Sequence, residues 1–211
     1  MATFDSDEQE TVDAIKEFWR AYGNIVIMVV VAVVVGFGGT KWWQYHTTTK
    51  AQAASATFNK LETAEAGDEA DKVGALSQEL ITEYGGTYYA DLARLNLAKA
   101  VSDNGDYQQA IDLVRGVIAD DRDASLVSLA KLRLAALHLI MEQYDLAMIA
   151  LDGDAGSSMS GLFADMRGDI YAAQKLNNEA RAAYEEALDR LQDGNPWIDI
   201  VQIKIDSLGS Q

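Results

Sequence analysis

Residues Ile25 to Gly39 read IVIMVVVAVVVGFGG, fifteen positions without a polar side chain, and the mostly apolar stretch widens to Ala21–Thr40. As a helix, about 20 residues rise roughly 30 Å, the thickness of a bilayer's hydrocarbon core. Trp19 and Tyr22 stand at one end and Trp42, Trp43 and Tyr45 at the other, where amphipathic rings favour the headgroup level. A buried core helix would be shorter and less uniform. The acidic tail before the run is unlike the basic start of a cleaved signal peptide, and Ala51-Gln52-Ala53 lies too far past the run to serve as its cleavage site. The expectation is a transmembrane helix over 25–40 that anchors the chain in a lipid bilayer.

This run divides the charge. The whole chain has 17 basic and 33 acidic side chains, a net charge of −16. Residues 1–24 carry six acids against Lys16 and Arg20, a net of −4. Residues 41–211 carry 27 acids against 15 bases, a net of −12. Diluted, outnumbered Lys and Arg exclude a general nucleic-acid binder. The absence of Cys excludes disulfides, thiolate nucleophiles and zinc–thiolate sites. Lys16 and Arg20 on one side of the run are balanced by Lys41 and Lys50 on the other, so charge alone does not set the orientation of a span.

A single Pro among abundant Ala, Leu, Val and Ile predicts an all-α protein. The tail 1–24 forms an amphipathic helix, with Ser6 and Gln9 as a capping box and Val12, Ile15, Trp19 and Tyr22 on one face. Beyond Trp43, Phe58 and Leu61 carry the buried side of a helix that Gly67-Asp68 ends. A second helix, from about Glu69 to Tyr84, uses Val73, Leu76, Leu80 and Ile81. The chain then repeats a turn followed by a helix with a small residue at a fixed place. Asn104-Gly105-Asp106-Tyr107 precedes Ala110, Gln143-Tyr144 precedes Ala147 and Asn177-Asn178 precedes Ala180, so the alanines are spaced by 37 and 33 residues. A period near 34 in helix–turn–helix units is the tetratricopeptide signature. Antiparallel helices approach closely only where side chains are small, which pairs Ala98, Ala135 and Gly168 on the first helices with Ala110, Ala147 and Ala180 on the second. The expected architecture is a tetratricopeptide-like α-solenoid over 41–211, roughly five hairpin equivalents long. Trp197, Val201, Ile205 and Leu208 give it a C-terminal capping helix that starts at Asn195-Pro196.

No motif supports catalysis, a cofactor or a metal. His46 and His138 have no Ser or carboxylate partner at motif spacing, and His138 occupies a packing position. Asp152-Gly153-Asp154-Ala155-Gly156 lacks the closing Glu of a calcium loop, and Asp120-Asp121-Arg122-Asp123 reads as a solvated linker between hairpins. Two features point to binding. Leu92, Leu95, Leu129, Leu132, Leu139 and Leu162 fall on the inner side of the first helices, where they line an apolar groove for a polypeptide unless the chain's own helices fill it. Ala32, Gly36 and Thr40 form a strip of small residues along the span, against which another membrane helix could pack.

The segments Glu8-Gln9-Glu10-Thr11-Val12-Asp13-Ala14-Ile15-Lys16-Glu17-Phe18, Gly39-Thr40-Lys41-Trp42-Trp43, Lys131-Leu132-Arg133-Leu134-Ala135, Ala164-Asp165-Met166-Arg167-Gly168-Asp169 and Ile203-Lys204-Ile205-Asp206-Ser207-Leu208, in this order around one span, resemble the YfgM family. These proteins are ancillary subunits associated with the bacterial SecYEG translocon and the membrane-anchored chaperone PpiD. The resemblance implies a cytoplasmic N-terminal tail, one inner-membrane span and a periplasmic repeat domain that helps pass exported polypeptides from the translocon to chaperones. It carries over no catalytic residue. A competing reading keeps the same architecture as a scaffold for another cell-envelope assembly complex.

Overall fold

The computed structural model describes residues 4–67, 69–153 and 155–209, without the side chains of 4–15, 17 and 35–45. Every regular element among the described residues is a helix: α1 (Phe4–Ala66), α2 (Ala70–Glu83), α3 (Tyr88–Asp103), α4 (Tyr107–Asp120), α5 (Ala124–Ile140), α6 (Tyr144–Ala150), α7 (Ser160–Ala173), α8 (Asn177–Arg190) and α9 (Trp197–Ser207). The chain divides into two units, Met1–Lys50 and Ala51–Gln211, with the boundary inside α1. In the first unit the large apolar side chains between Ile25 and Val34 are mostly exposed. Among the described residues no helix is long and apolar enough to cross a membrane. The expected span runs on into residues 35–40, whose side chains lie outside the described ones.

The second unit is a stack of hairpins. Its start packs the end of α1 on α2 through Ala54, Phe58, Leu61 and Leu80, joined by Ala93 of α3. The hairpins α3/α4, α5/α6 and α7/α8 follow; successive first helices touch, α3 to α5 and α5 to α7, and α4 also packs on α5. Among the described residues this makes four hairpins, the first from the end of α1 with α2, and a terminal helix, in line with the roughly five hairpin equivalents expected. The small residues lie where the repeat spacing puts them: Ala98, Ala110, Ala135, Ala147 and Ala180 are all buried, as is Gly168. The partner facing Gly168 is the ring of Tyr184, one turn beyond Ala180.

Caps explain the register. Thr87 Oγ1 accepts from Ala90 N at 3.3 Å, Asp106 from Gln109 N at 3.1 Å, and Asp123 from Ser125 N and Leu126 N at 2.9 and 3.0 Å, each satisfying amides a helix start leaves open. Asp123 is thus a cap within the expected linker. The hairpin turns share one device. Gly105, Glu142 and Lys175 all have left-handed backbone, at φ 85°, 57° and 63°. The next residue donates back to the last turn each time: Asp106 N to Val101 O at 2.9 Å, Gln143 N to His138 O at 2.8 Å and Leu176 N to Tyr171 O at 2.9 Å. This is a Schellman closure, in which glycine is the unstrained residue. The last two turns use Glu and Lys instead, and left-handed backbone costs such residues about 1–2 kcal/mol. Lys175→Gly is expected to raise stability by up to about 1 kcal/mol after the entropy of the freer unfolded chain is deducted. Urea unfolding of the full chain should show a higher midpoint at unchanged slope.

Candidate functional site

The six leucines assigned to the inner groove are not equivalent. Leu95 and Leu132 are 1 % and 9 % exposed and belong to the main core, whereas Leu92, Leu129, Leu139 and Leu162 are partly buried and pack against it. The chain's own helices therefore cover much of this apolar surface. Of the membrane strip, Ala32 is exposed, and the side chains of Gly36 and Thr40 lie outside the described residues.

One accessible apolar surface lies at the C-terminal halves of α3 and α5. A crevice of about 320 Å³ is lined by Ala98, Lys99 and Ser102 of α3, Val114 of α4, and Arg133, Ala136, Leu137 and Ile140 of α5. Ile140 is 56 % exposed at its lip, although it ends a helix that is otherwise core-forming. Arg133 Nη1 donates to the Leu95 carbonyl at 2.5 Å, which ties α5 to α3. Burial lowers the pKa of this guanidinium from its ordinary value, and no carboxylate among the described residues pairs with it. Lys99, by contrast, is neutralised by Asp103 at 2.7 Å. Neither Arg133 nor Ile140 stands out in the sequence as a surface residue; the signal was an Arg amid an apolar helix, at a position that faces a neighbouring repeat.

Two ionic clusters brace the stack. Asp91, at the start of α3, is 2 % exposed and is bonded by Arg94 at 2.8 Å and by Arg122 at 2.8 and 2.9 Å. Asp120 joins both arginines, Arg122 at 2.9 Å. Burial lowers the pKa of Arg122, but the combined hydrogen bonds and charges of Asp91 and Asp120 outweigh it and leave the value raised. The expected solvated linker 120–123 is corrected by this contact: two of its charges, Asp120 and Arg122, tie the end of α4 and the start of the linker back onto α3 of the same hairpin, because a buried Asp on α3 needs compensation. The second cluster holds α9. Asp165 of α7, 4 % exposed, accepts from Lys204 Nζ at 2.8 and 2.9 Å and from the Trp197 indole at 2.9 Å. Lys204 also reaches Asp169 at 2.7 Å and lies over the Tyr184 ring, 5.5 Å from its centroid. Burial, then the hydrogen bond to Asp169, pushes the Tyr184 phenol up, so it stays protonated as the donor to Asp169 at 2.8 Å.

His138 is buried and meets Gln143 Oε1 through Nδ1 at 2.7 Å, the packing role expected of it. Lys131 Nζ binds the Asp152 carbonyl at 2.8 Å, and Asp154 of the same loop lies outside the described residues. Among the described residues no group of His, Cys, Asp or Glu could hold a metal ion.

With hairpins, small-residue contacts and closing turns all repeating at intervals of 37 and 33 residues, the architecture has a definite relation to known proteins. Residues 16–210 match the tetratricopeptide repeat-like domain family. The chain belongs to that family. It is 28 % identical to the ancillary SecYEG translocon subunit of Neisseria gonorrhoeae over 203 residues, covering 96 % of this chain and 97 % of that one. The ancillary SecYEG translocon subunit of Escherichia coli gives the same identity and coverage, and that of Haemophilus influenzae 27 % over 86 % of this chain and 88 % of its own. The resemblance read from the sequence thus extends across nearly the whole chain. Among solved structures, the MamA RS-1 ArsTM double mutant superposes with a TM-score of 0.54 at 16 % identity, over 74 % of this chain and 93 % of that one. MamA residues 41 to the end from Desulfovibrio magneticus RS-1 gives 0.52 at 15 %, over 74 % and 88 %. At this identity the likeness is one of fold: an all-helical repeat stack.

Proposed function

We propose that the protein is a single-span, membrane-anchored adaptor of the Sec export machinery, which binds the SecYEG translocon and passes exported polypeptides to a periplasmic chaperone of the PpiD type. The observation that carries this reading is end-to-end correspondence with ancillary SecYEG translocon subunits, tail and repeat region included. The apolar run supports the anchor. Eight large apolar residues between Ile25 and Val34 expose half or more of their surface, which water would disfavour and hydrocarbon would cover. In this reading the acidic tail is cytoplasmic, the strip Ala32, Gly36 and Thr40 meets a neighbouring membrane helix, and the repeat unit is an interaction surface in the periplasm. Its role is binding rather than catalysis.

Purification of the full chain from bacterial membranes in mild detergent should bring down the translocon subunits and a PpiD-type chaperone, detected by mass spectrometry. Envelope-assembly proteins in their place would overturn the assignment. A reporter fused after Gln211 that is active only in the periplasm tests the orientation. An inactive but stable fusion reverses it.

A further inference from the structure

The crevice between α3 and α5 combines an apolar floor, an exposed aliphatic lip and one cation, Arg133, that no carboxylate among the described residues pairs with. Its floor is Ala98, Val114 and Leu137, and Ile140 extends the lip. At about 320 Å³ it is at the small end of ligand-sized cavities, enough for short side chains of an extended segment and not for a folded domain. The chain carries 33 acids, and buried acids elsewhere recruit arginines: Asp91 holds both Arg94 and Arg122. Among the described residues Arg133 bonds the Leu95 carbonyl alone, which uses one of its five donors. A partly desolvated guanidinium gains most from a carboxylate, which it can bind in a bidentate fork.

We infer that this crevice binds an extended polypeptide segment in which an acidic side chain pairs with Arg133 while an aliphatic side chain two residues on enters the floor at Leu137. Charge complementarity selects the occupant. The spacing agrees: Arg133 and Leu137 are about 6 Å apart along α5, and residues i and i+2 of an extended strand about 6.7 Å. The inference rests on the polypeptide-holding role proposed above and gives that role a sequence preference. It also opposes the bulk electrostatics. A protein of net charge −16 attracts basic peptides nonspecifically, so a preference for an acidic one requires a local site.

The test uses the full chain in nanodiscs of zwitterionic lipid and three fluorescein-labelled peptides, Gly-Ser-Glu-Ser-Leu-Ser-Gly and its versions with Gln or Lys in place of Glu, followed by anisotropy. The Glu peptide should bind roughly tenfold more tightly than the Gln peptide, the margin of one charge-assisted hydrogen bond pair. Arg133→Gln should abolish that margin. Ile140→Glu, at an exposed position that leaves the core intact, should weaken the Glu peptide by a similar factor and provides the answer if Arg133→Gln fails to fold. Equal binding of the three peptides, or a margin that survives both substitutions, overturns the inference while translocon copurification still stands. Binding of none of them also overturns it, as does concentration-dependent self-association that masks the site in sedimentation.

Discussion

Replacing Lys204 by Met is expected to cost about 2–3 kcal/mol, below the roughly 3–5 kcal/mol for removing one partner of a fully buried ion pair because Lys204 keeps 25 % of its side chain in solvent. The reason lies in Asp165. Its side chain is 6 % exposed and shares Lys204 with Asp169, so the substitution leaves two carboxylates of one α7 face without their common cation. The Trp197 indole alone then satisfies Asp165. Because these contacts join α9 to α7 and α8, the loss should be localised: amide exchange in α9 should accelerate well before that of α3–α5. Lys204→Arg should recover part of the stability. A global loss with no preferential opening of α9 would show that the terminal helix is held by Val201 and Ile205 alone. The double variant Lys204→Met/Asp165→Leu should lie closer to the parent than Lys204→Met, since it removes the more buried of the two carboxylates and leaves Asp169 with the Tyr184 hydroxyl.

The ion pairs of this cluster leave no trace in the sequence pattern. Period and patterning located the hairpins, the capping helix and Val201 and Ile205 on its buried stripe, because a 3.6-residue period reports which face is buried. Trp197 shares the period of that stripe, yet it is 39 % exposed and acts through its indole N–H. Asp165 and Lys204 are 39 residues apart, and nothing local tells an Asp beside a small-residue contact that its cation comes from another helix. The same holds for Asp91 with Arg122 and for the 120–123 segment. Leu95 and Leu132 show a related limit: helical register places them on the inner side, but register does not say how close the next repeat comes. It comes close enough to bury both. Arg133 lies within a segment that carries the family resemblance, but no chemical motif singles it out; the placement of α3 against α5 shows that no carboxylate among the described residues pairs with it. The turns were legible in outline, since Gly105 announces a left-handed residue, whereas Glu142 and Lys175 adopt it without a glycine to signal it.

The repeat spacing itself makes the second large prediction, on the contact between α7 and α8. In a helix interior Gly→Ala normally stabilises by about 0.5–1 kcal/mol, because Gly loses more backbone freedom on folding. Gly74 in α2 should obey this rule, since a Cβ there meets nothing within 4 Å. Gly168→Ala should invert it. A Cβ at Gly168 would overlap the ring carbons of Tyr184, which cannot withdraw easily: its hydroxyl donates to Asp169, Lys204 lies over its ring, and it is 3 % exposed. Either the ring leaves its rotamer or α7 and α8 separate, and overpacking of this kind costs about 1–3 kcal/mol. The two substitutions thus carry opposite signs for the same chemical change, and urea unfolding of the two variants beside the parent measures both. Gly168→Ala/Tyr184→Ala offers the decisive comparison. If the clash is the cause, the added methyl should cost much less once the ring is gone; a penalty that persists in the Tyr184→Ala background would locate the constraint in the α7 backbone and remove the ring from the account of why this position is Gly where the other repeats have Ala98 and Ala135.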